Sequence, residues 1–448
     1  MKKSIVLITA MLIAVHIVSA ATPKKWTLKE CIDYALTNNI TLQKNRLSTQ
    51  SAKEDVLKSK AALLPSLDAS TSHSVLYRPW TNSTQTTVSN GTVQSSVNKT
   101  YYNGSYGINA SWTVWNGNIN HNTIKLNKLT EQQTELDSAE TANSIQEKIA
   151  QVYVQILYLN EAIKVDKQSY EVSKKNESRG EEMVKVGKMA KADLAQLTAQ
   201  TAQDKYNIVE AESNLASYKL QLKQLLEITD DQEFDVDIPE TSDEQAKSDI
   251  PTLQSVYQAA LTSRPEIKNT QLAIQSSDLS INIAKAGLLP TISLTGGLGT
   301  STSSLSTTSW GSQMKTNFDG SIGATLSIPI FDNRKTKTAV NKAKIERANQ
   351  ILNLQDKQKT LYSTIETYWL DANTNQQKFI AAKSSVESQQ ASYDLLSEQF
   401  RLGLKNIIEL MTGKTNLLSA QQSELQSKYM TILDLQLLKF YKGENITL

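Results

Sequence analysis

Apolar residues fall at Ile145, Ile149, Val152, Ile156, Leu159 and Ile163, in steps that alternate four and three. That rhythm is the heptad seam of a helix packed along another helix. Between Asn118 and Met183 there is no Pro, and no Gly before Gly180. The pattern predicts one helix of about 65 residues, roughly 100 Å long. A second seam runs through Leu361, Ile365, Tyr368 and Ala372, then Phe379, Ala382, Val386, Tyr393 and Phe400, with polar slips at Asn375 and Gln389. A returning helix carries Leu194, Leu197, Ile208, Ala211, Leu215, Tyr218, Leu222 and Leu225. Gly187 and Gly403 mark the turns at which each long helix reverses into an antiparallel hairpin. Seams of this kind establish coiled-coil packing and do not by themselves imply a channel.

Elsewhere the period changes to two. In Tyr101 to Trp115, one face holds Tyr102, Tyr106, Ile108, Ala110, Trp112 and Val114, and the other Asn103, Ser105, Asn109, Ser111 and Thr113. In Phe318 to Ile330, Ile322, Ala324, Leu326, Ile328 and Ile330 oppose Asp319, Ser321, Thr325 and Ser327. Similar alternation begins after Pro65 and after Pro290. Alternation is most often a half-buried soluble sheet. These strands, however, are about 10 to 13 residues, long enough to cross a bilayer at a tilt. Aromatic residues gather near their ends, and the polar faces are small and uncharged apart from Asp68 and Asp319. The joining segments, 78–99 and 301–317, are Ser/Thr-rich and read as long outward loops. Four strands cannot close a barrel, and an open edge in lipid is not viable. Two copies would give a filled bore; three would give twelve strands and room for a pore.

The elements occur twice. A shift of 225 carries Leu28 onto Leu253, Ala35-Leu36-Thr37 onto Ala260-Leu261-Thr262, and Leu63-Leu64-Pro65 onto Leu288-Leu289-Pro290. A shift of 216 carries Val114-Trp115 onto Ile330-Phe331, Val186-Gly187 onto Leu402-Gly403, and Asp193-Leu194 onto Glu409-Leu410. The organisation expected is a signal peptide at 1–20, a first repeat at 21–226, an acidic connector at 227–250 forming an irregular surface link, and a second repeat at 251–448.

Composition sharpens this reading. Only 39% of residues are hydrophobic, which suits long wetted helices or a water-filled structure. Net charge is +2, giving no electrostatic case for nucleic acid. Met1-Lys2-Lys3, the short apolar run from Ile5 to Val18 and Val18-Ser19-Ala20 read as a secretory signal. Cys31 has no partner for an internal disulfide and sits in a helical pattern, as a partly buried helix cysteine. His16, His73 and His121 have no metal-ligand spacing. The "TGKT" at Thr412 lacks the earlier Gly of a phosphate loop, because position 408 is Ile408. "GGLG" at Gly296 lies inside a strand pattern with no helix after it. The chain reads as a non-enzyme without a cofactor.

The doubled "LLP" switch, the "WTVWNG" and "SIPIFDNR" strand-to-helix junctions and the paired Gly tips together resemble the TolC-like outer membrane factor family. The resemblance covers essentially the whole mature chain. It implies an α+β membrane protein in which a long antiparallel α-helical coiled-coil barrel is continuous with a transmembrane β-barrel, shared by a homotrimer. It implies an outer membrane location, a helical tunnel into the periplasm, and a periplasmic adaptor with an inner-membrane RND or ABC transporter as partners. The function implied is the passive exit duct of a tripartite efflux or type I secretion system. Pro65 and Pro290 would mark where a tunnel helix gives way to a barrel strand.

By the same resemblance, Glu409 stands where an acidic pore constriction is expected, and Thr412 where a second acidic residue can occur. Lys405 matches a basic latch residue, and Asp193 an acidic latch partner. Phe400 occupies a position where a Tyr hydroxyl can complete the latch; Phe cannot donate, so closure is expected to rest on packing and on Lys405. Ala192 lacks the polar group expected beside Asp193. Independently, three copies of one carboxylate around an axis form a charged ring, a device for cation selectivity. The rival from another class is a coiled-coil envelope spacer or adhesin whose strands form a soluble sheet.

Overall fold

The computed structural model describes residues 25–80, 87–89, 92–94, 99–229 and 234–447. The signal-peptide reading, with His16, and part of the 78–99 loop lie outside the described residues. The first half runs β1 (Lys25–Trp26), α1 (Leu28–Asn38), α2 (Ile40–Ala61), β2 (Ser66–Tyr77), β3 (Thr87–Ser89), β4 (Thr92–Gln94), β5 (Thr100–Trp115), α3 (Ile119–Lys185) and α4 (Lys191–Leu225). Then follow β6 (Asp235–Val236), α5 (Asp243–Ala246), α6 (Leu253–Ser263), α7 (Pro265–Lys285), β7 (Thr291–Ser303), α8 (Trp310–Thr316), β8 (Asp319–Ser327), α9 (Lys335–Arg401) and α10 (Ile407–Lys442).

The two shifts reappear in the backbone. Adding 225 carries the 11 residues of α1 onto the 11 of α6, and the start of α2 onto the start of α7. Adding 216 carries α3 onto α9, each of 67 residues. It also carries the consecutive left-handed residues Gly117 and Asn118 (φ 66° each) onto Asn333 and Arg334 (φ 51° and 66°). Two left-handed residues in a row turn the strand end sharply into the helix.

The chain forms two compact units, and each takes segments from both halves. The first contains 25–43, 141–263 and 362–447 of the described chain. Its main core gathers α1, the middle of α3, the end of α4 and the end of α10 around Ile149, Tyr153, Ile156, Leu222 and Leu437. A capping box between Thr27 and Glu30 starts α1, and Cys31 is fully buried beneath it. The parallel pair β1–β6 lies beside this core, and the Tyr153 hydroxyl is 2.6 Å from the Asp237 carbonyl.

The connector departs from the expected irregular link. Asp243 at the start of α5 bonds both Lys383 and Lys428, the latter at 2.9 Å, and these two lysines hold its carboxyl down to about 2. Ala246 is fully buried against Phe379 and Ile432, and Gln376 Nε2 donates to the carbonyls of Ala246 and Ser248 at 2.9 and 3.0 Å. Of the acidity that reads as surface charge, Asp243 is matched to lysines on α9 and α10, and Asp235 to Lys219 on α4.

The second unit contains 44–140 and 264–361. Its sheet has the order β2-β5-β7-β8, with every neighbour antiparallel. Register aligns Leu67, Ala110, Gly296 and Ile322 on one face, and the next pairing aligns Asp68, Asn109, Gly297 and Ser321 on the other. The apolar face is open: Leu67 is 75% exposed and Ile322 94%. Asn109 Nδ2 donates to Asp68 at 3.3 Å on the polar face. His73, in β2, approaches Tyr102 through Nδ1 at 2.5 Å, and His121 lies in the first turn of α3.

Two details differ from expectation. β8 stops at Ser327 instead of Ile330, because Pro329 cannot donate to a ladder. The loop at 301–317 contains α8, started by the Ser309 side chain accepting from the Ser312 N–H. At the first helix-to-strand switch, before Pro65, the carbonyls of Ala62 and Leu63 accept from Asn120 Nδ2 (3.2 Å) and Trp112 Nε1 (2.8 Å). These groups would otherwise be orphans of the helix end. Before Pro290 a 3-10 turn at Ala286–Leu288 serves instead, with Leu289 N–H bonding the Ala286 carbonyl.

Candidate functional site at the hairpin tips

The tips belong wholly to the first unit. After α3, the Gly187 N–H bonds the Val184 carbonyl (3.1 Å) and the Lys188 N–H the Met183 carbonyl (2.8 Å). After α9, Gly403 bonds Phe400 (3.0 Å) and Leu404 bonds Gln399 (2.9 Å). Both are Schellman endings, and both glycines are left-handed, at φ 75° and 77°. A side chain at either would meet nothing within 4 Å. The requirement is therefore conformational, not spatial.

Beyond the turns the two tips diverge. Asn406 caps α10 through a complete capping box: its Oδ1 accepts from the Glu409 N–H (2.9 Å), and Glu409 Oε2 accepts from the Asn406 N–H (3.3 Å). Ala190, its counterpart before α4, makes no side-chain cap. Lys405 Nζ lies 2.5 Å from Glu409 Oε1. Lys405 first, and Asn406 second, hold the Glu409 carboxyl below the usual carboxylate range.

Lys405 and Glu409 are thus brought together within one turn of chain, and Lys405 does not reach Asp193. Asp193, in the first turn of α4, makes no ion pair among the described residues. Thr412 is exposed, in a cleft of about 400 Å³ lined by Gln196, Gln200, Ile408, Met411, Thr415 and Asn416. Phe400 is 6% exposed and packs with Leu197, Tyr393, Ile407, Leu410 and Leu417, residues drawn from both hairpins.

Sequence reasoning missed a polar set inside the seams. Lys414 is buried and bonds Asp204 of α4 and, at 2.5 Å, the Ser173 hydroxyl of α3. Further along, Gln422 Nε2 donates to Asp166 at 2.9 Å, and burial pushes that carboxyl up. Asp434 accepts from Asn375 Nδ2 at 2.9 Å, and burial pushes it up to about 7. The signal was available: Lys414 lies four after Leu410 and three before Leu417, and Asp204 four before Ile208, which are seam spacings. A charge at a seam position is buried and needs a partner.

No helix among the described residues is long and apolar enough to cross a membrane. The sequence profile of the family described as "Outer membrane efflux protein" matches residues 31–227 and 256–444. Outer membrane protein TolC of Escherichia coli (strain K12) is 24% identical over 430 residues, covering 91% of this chain and 80% of that protein. Toxin and drug export protein A of Aggregatibacter actinomycetemcomitans is 23% identical, covering 90% and 83%. Among solved structures, CusC superposes with a TM-score of 0.77 at 18% identity, covering 92% of this chain and 91% of that one. The Campylobacter jejuni CmeC outer membrane channel gives 0.76 at 22%, covering 94% and 87%. The structural likenesses establish the fold, and the profile establishes the kinship: the chain belongs to the outer membrane efflux protein family, resident in the outer membrane and serving efflux.

Proposed function

We propose that three copies of this chain close one twelve-stranded barrel in the outer membrane and one helical tunnel in the periplasm. Together they form the exit duct of a tripartite efflux or type I secretion system. The observation that supports this best is the sheet. Among the described residues, four antiparallel strands leave β2 and β8 as edges, with an exposed apolar face backed by a Ser/Thr/Asn/Gly face. An apolar face of that extent in a sheet needs lipid or a partner, and edges in lipid need closure. Closing the sheet with further copies turns the apolar face to lipid and the polar face to a wet lumen.

In this reading the mature chain is two repeats, 21–226 and 251–448, joined by the connector 227–250. Pro65 and Pro290 mark where tunnel helices give way to strands. The tips at Gly187 and Gly403 form the periplasmic gate. Glu409 supplies a three-fold acidic ring at the constriction, and Thr412 stands beside it as a neutral position. Phe400 holds the gate by packing, and Lys405 moderates the ring charge through its pair with Glu409. Asp193 is left to meet a neighbouring copy. Transport energy and choice of cargo come from an inner-membrane RND or ABC pump, reached through a periplasmic adaptor.

The test is conductance of the purified mature protein in planar bilayers. Small cation-selective openings, one pore per three chains, are expected. A folded trimer that remains soluble without detergent and never inserts would return the chain to a coiled-coil spacer.

A further inference from the structure

Lys405 and Glu409 lie on one helix and its leading turn, half in solvent. A pair of that kind strengthens its own helix end and cannot fasten one hairpin to another. Nine residues on, the situation is reversed. Lys414 of α10 is 6% exposed, and its ammonium ends between two helices of the other hairpin. It donates to the Asp204 carboxylate on α4 and to Ser173 Oγ on α3. Asp204 is 3% exposed and its second oxygen accepts from Gln200 Nε2 at 2.8 Å. One side chain of the second hairpin therefore holds both helices of the first.

The helices are also drawn close within each hairpin at this level. A methyl on Gly180 of α3 would lie 2.6 Å from Leu197 Cδ1 of α4, and one on Gly413 of α10 would lie 2.7 Å from Leu396 Cδ1 of α9. The shift of 216 carries 180 onto 396 and 197 onto 413. The two hairpins thus use the same pair of positions with glycine and leucine exchanged. Each hairpin has one such close approach between its own helices, whereas Lys414 lies between the hairpins.

We propose that Lys414 is a positioning residue of the gate: a buried tie from the second hairpin to Asp204 and Ser173 of the first, about which the tips below it move as rigid pairs of helices. Burial lowers the Lys414 ammonium from the ordinary lysine range while Asp204 opposes that effect. The tie is therefore held by its partner, and removing one member leaves the other buried without its counter-charge. Breaking such a pair is strongly unfavourable, whereas replacing both members by apolar groups is tolerated.

The inference rests on the duct reading only for its conductance arm. Spin labels at the exposed equivalent positions 186 and 402 report the distance between tips in the full trimer. Lys414→Met is expected to lengthen and broaden that distance and to raise the open-to-closed ratio by on the order of a hundredfold. Asp204→Asn should act in the same direction, and serves if Lys414→Met does not assemble. The double variant Lys414→Met/Asp204→Leu should return both readouts towards wild type, which a general loss of packing would not do. Lys405→Ala should leave the tip distance unchanged. Unaltered distance and conductance in Lys414→Met and Asp204→Asn, with pores intact in the wild type, would overturn the proposal. A wild-type trimer without pores would defeat the duct reading instead, and the spin-label distances would still judge the tie.

Discussion

Asp434 should make the protein less stable as pH rises from about 4 to about 7, and Asp434→Asn should remove that dependence. The residue lies on α10, 7% exposed, with Asn375 Nδ2 donating to it. Burial is the main cause raising its carboxyl from 3.8 to about 7; Asn375 works against the rise and Asp371 adds to it. The sign follows from proton counting. Between those two values the folded chain holds a proton that the unfolded chain has released, so stability falls as pH rises. At about 1.4 kcal/mol for each pH unit, the gap amounts to at most about 4 kcal/mol at neutral pH. Asn carries no charge and can still accept from Asn375. Urea unfolding of the full-length protein at about pH 4.5 and pH 7.5 should show a gain of up to that size at the higher pH and only about 1 kcal/mol at the lower. Asp243, held at about 2, loses its contribution only below pH 4 and does not interfere. A gain of equal size at both pH values would show that packing, not ionisation, distinguishes the variant, and would refute the reasoning.

Gly180→Ala should destabilise by about 1–2 kcal/mol, because Leu197 is buried and crowding outweighs the better helix propensity. Gly413→Ala should be near neutral, because Leu396 is half-exposed and its methyl can swing away. Denaturant midpoints would separate the two, and equal losses would count against the argument. In bilayers, reversal potentials should shift away from cation selectivity for Glu409→Ala, and towards it for Thr412→Asp and for Lys405→Ala, which removes the cation beside each carboxylate. Unchanged potentials in all three would remove the ring from the constriction.

Much of this architecture was legible because two periods separate it cleanly. The run from 118 to 183 could be only a helix, and it is one from Ile119 to Lys185. The alternation of Tyr101–Trp115 survives residue for residue as faces of β5, with a register shift only between Thr113 and Trp115. What escaped was of two kinds. Lys414, Asp204 and Asp166 sit at seam positions, where a charge reads as a fault in the pattern unless its partner on another helix is known. Period and composition along one strand of sequence carry no such information. The connector and α8 escaped because Ser, Thr and Asp serve loops and helix caps alike. Asp243 became a docking point only through Lys383 and Lys428, some 140 and 185 positions away.

The divergence between the two tips has a consequence for which of them opens first. Their Schellman turns match residue for residue, so the difference lies in the helices that leave them. α10 begins with Asn406 and Glu409 satisfying each other's N–H groups, and with Lys405 across the carboxylate. α4 begins with Ala190, whose side chain satisfies none, and with Asp193, which has no ion-pair partner among the described residues. A missing cap costs about 1 kcal/mol of helix-end stability, so amides at 191–194 should exchange hydrogen several times faster than those at 407–410. Ala190→Asn places an acceptor where Asn406 has one, with the acidic Asp193 already three residues on, in the first turn. It should slow exchange at 191–194 by about fivefold while leaving 407–410 unchanged. If the two starts exchange alike in the wild type, the cap does not govern fraying here. The first tip would then have no greater freedom than the second.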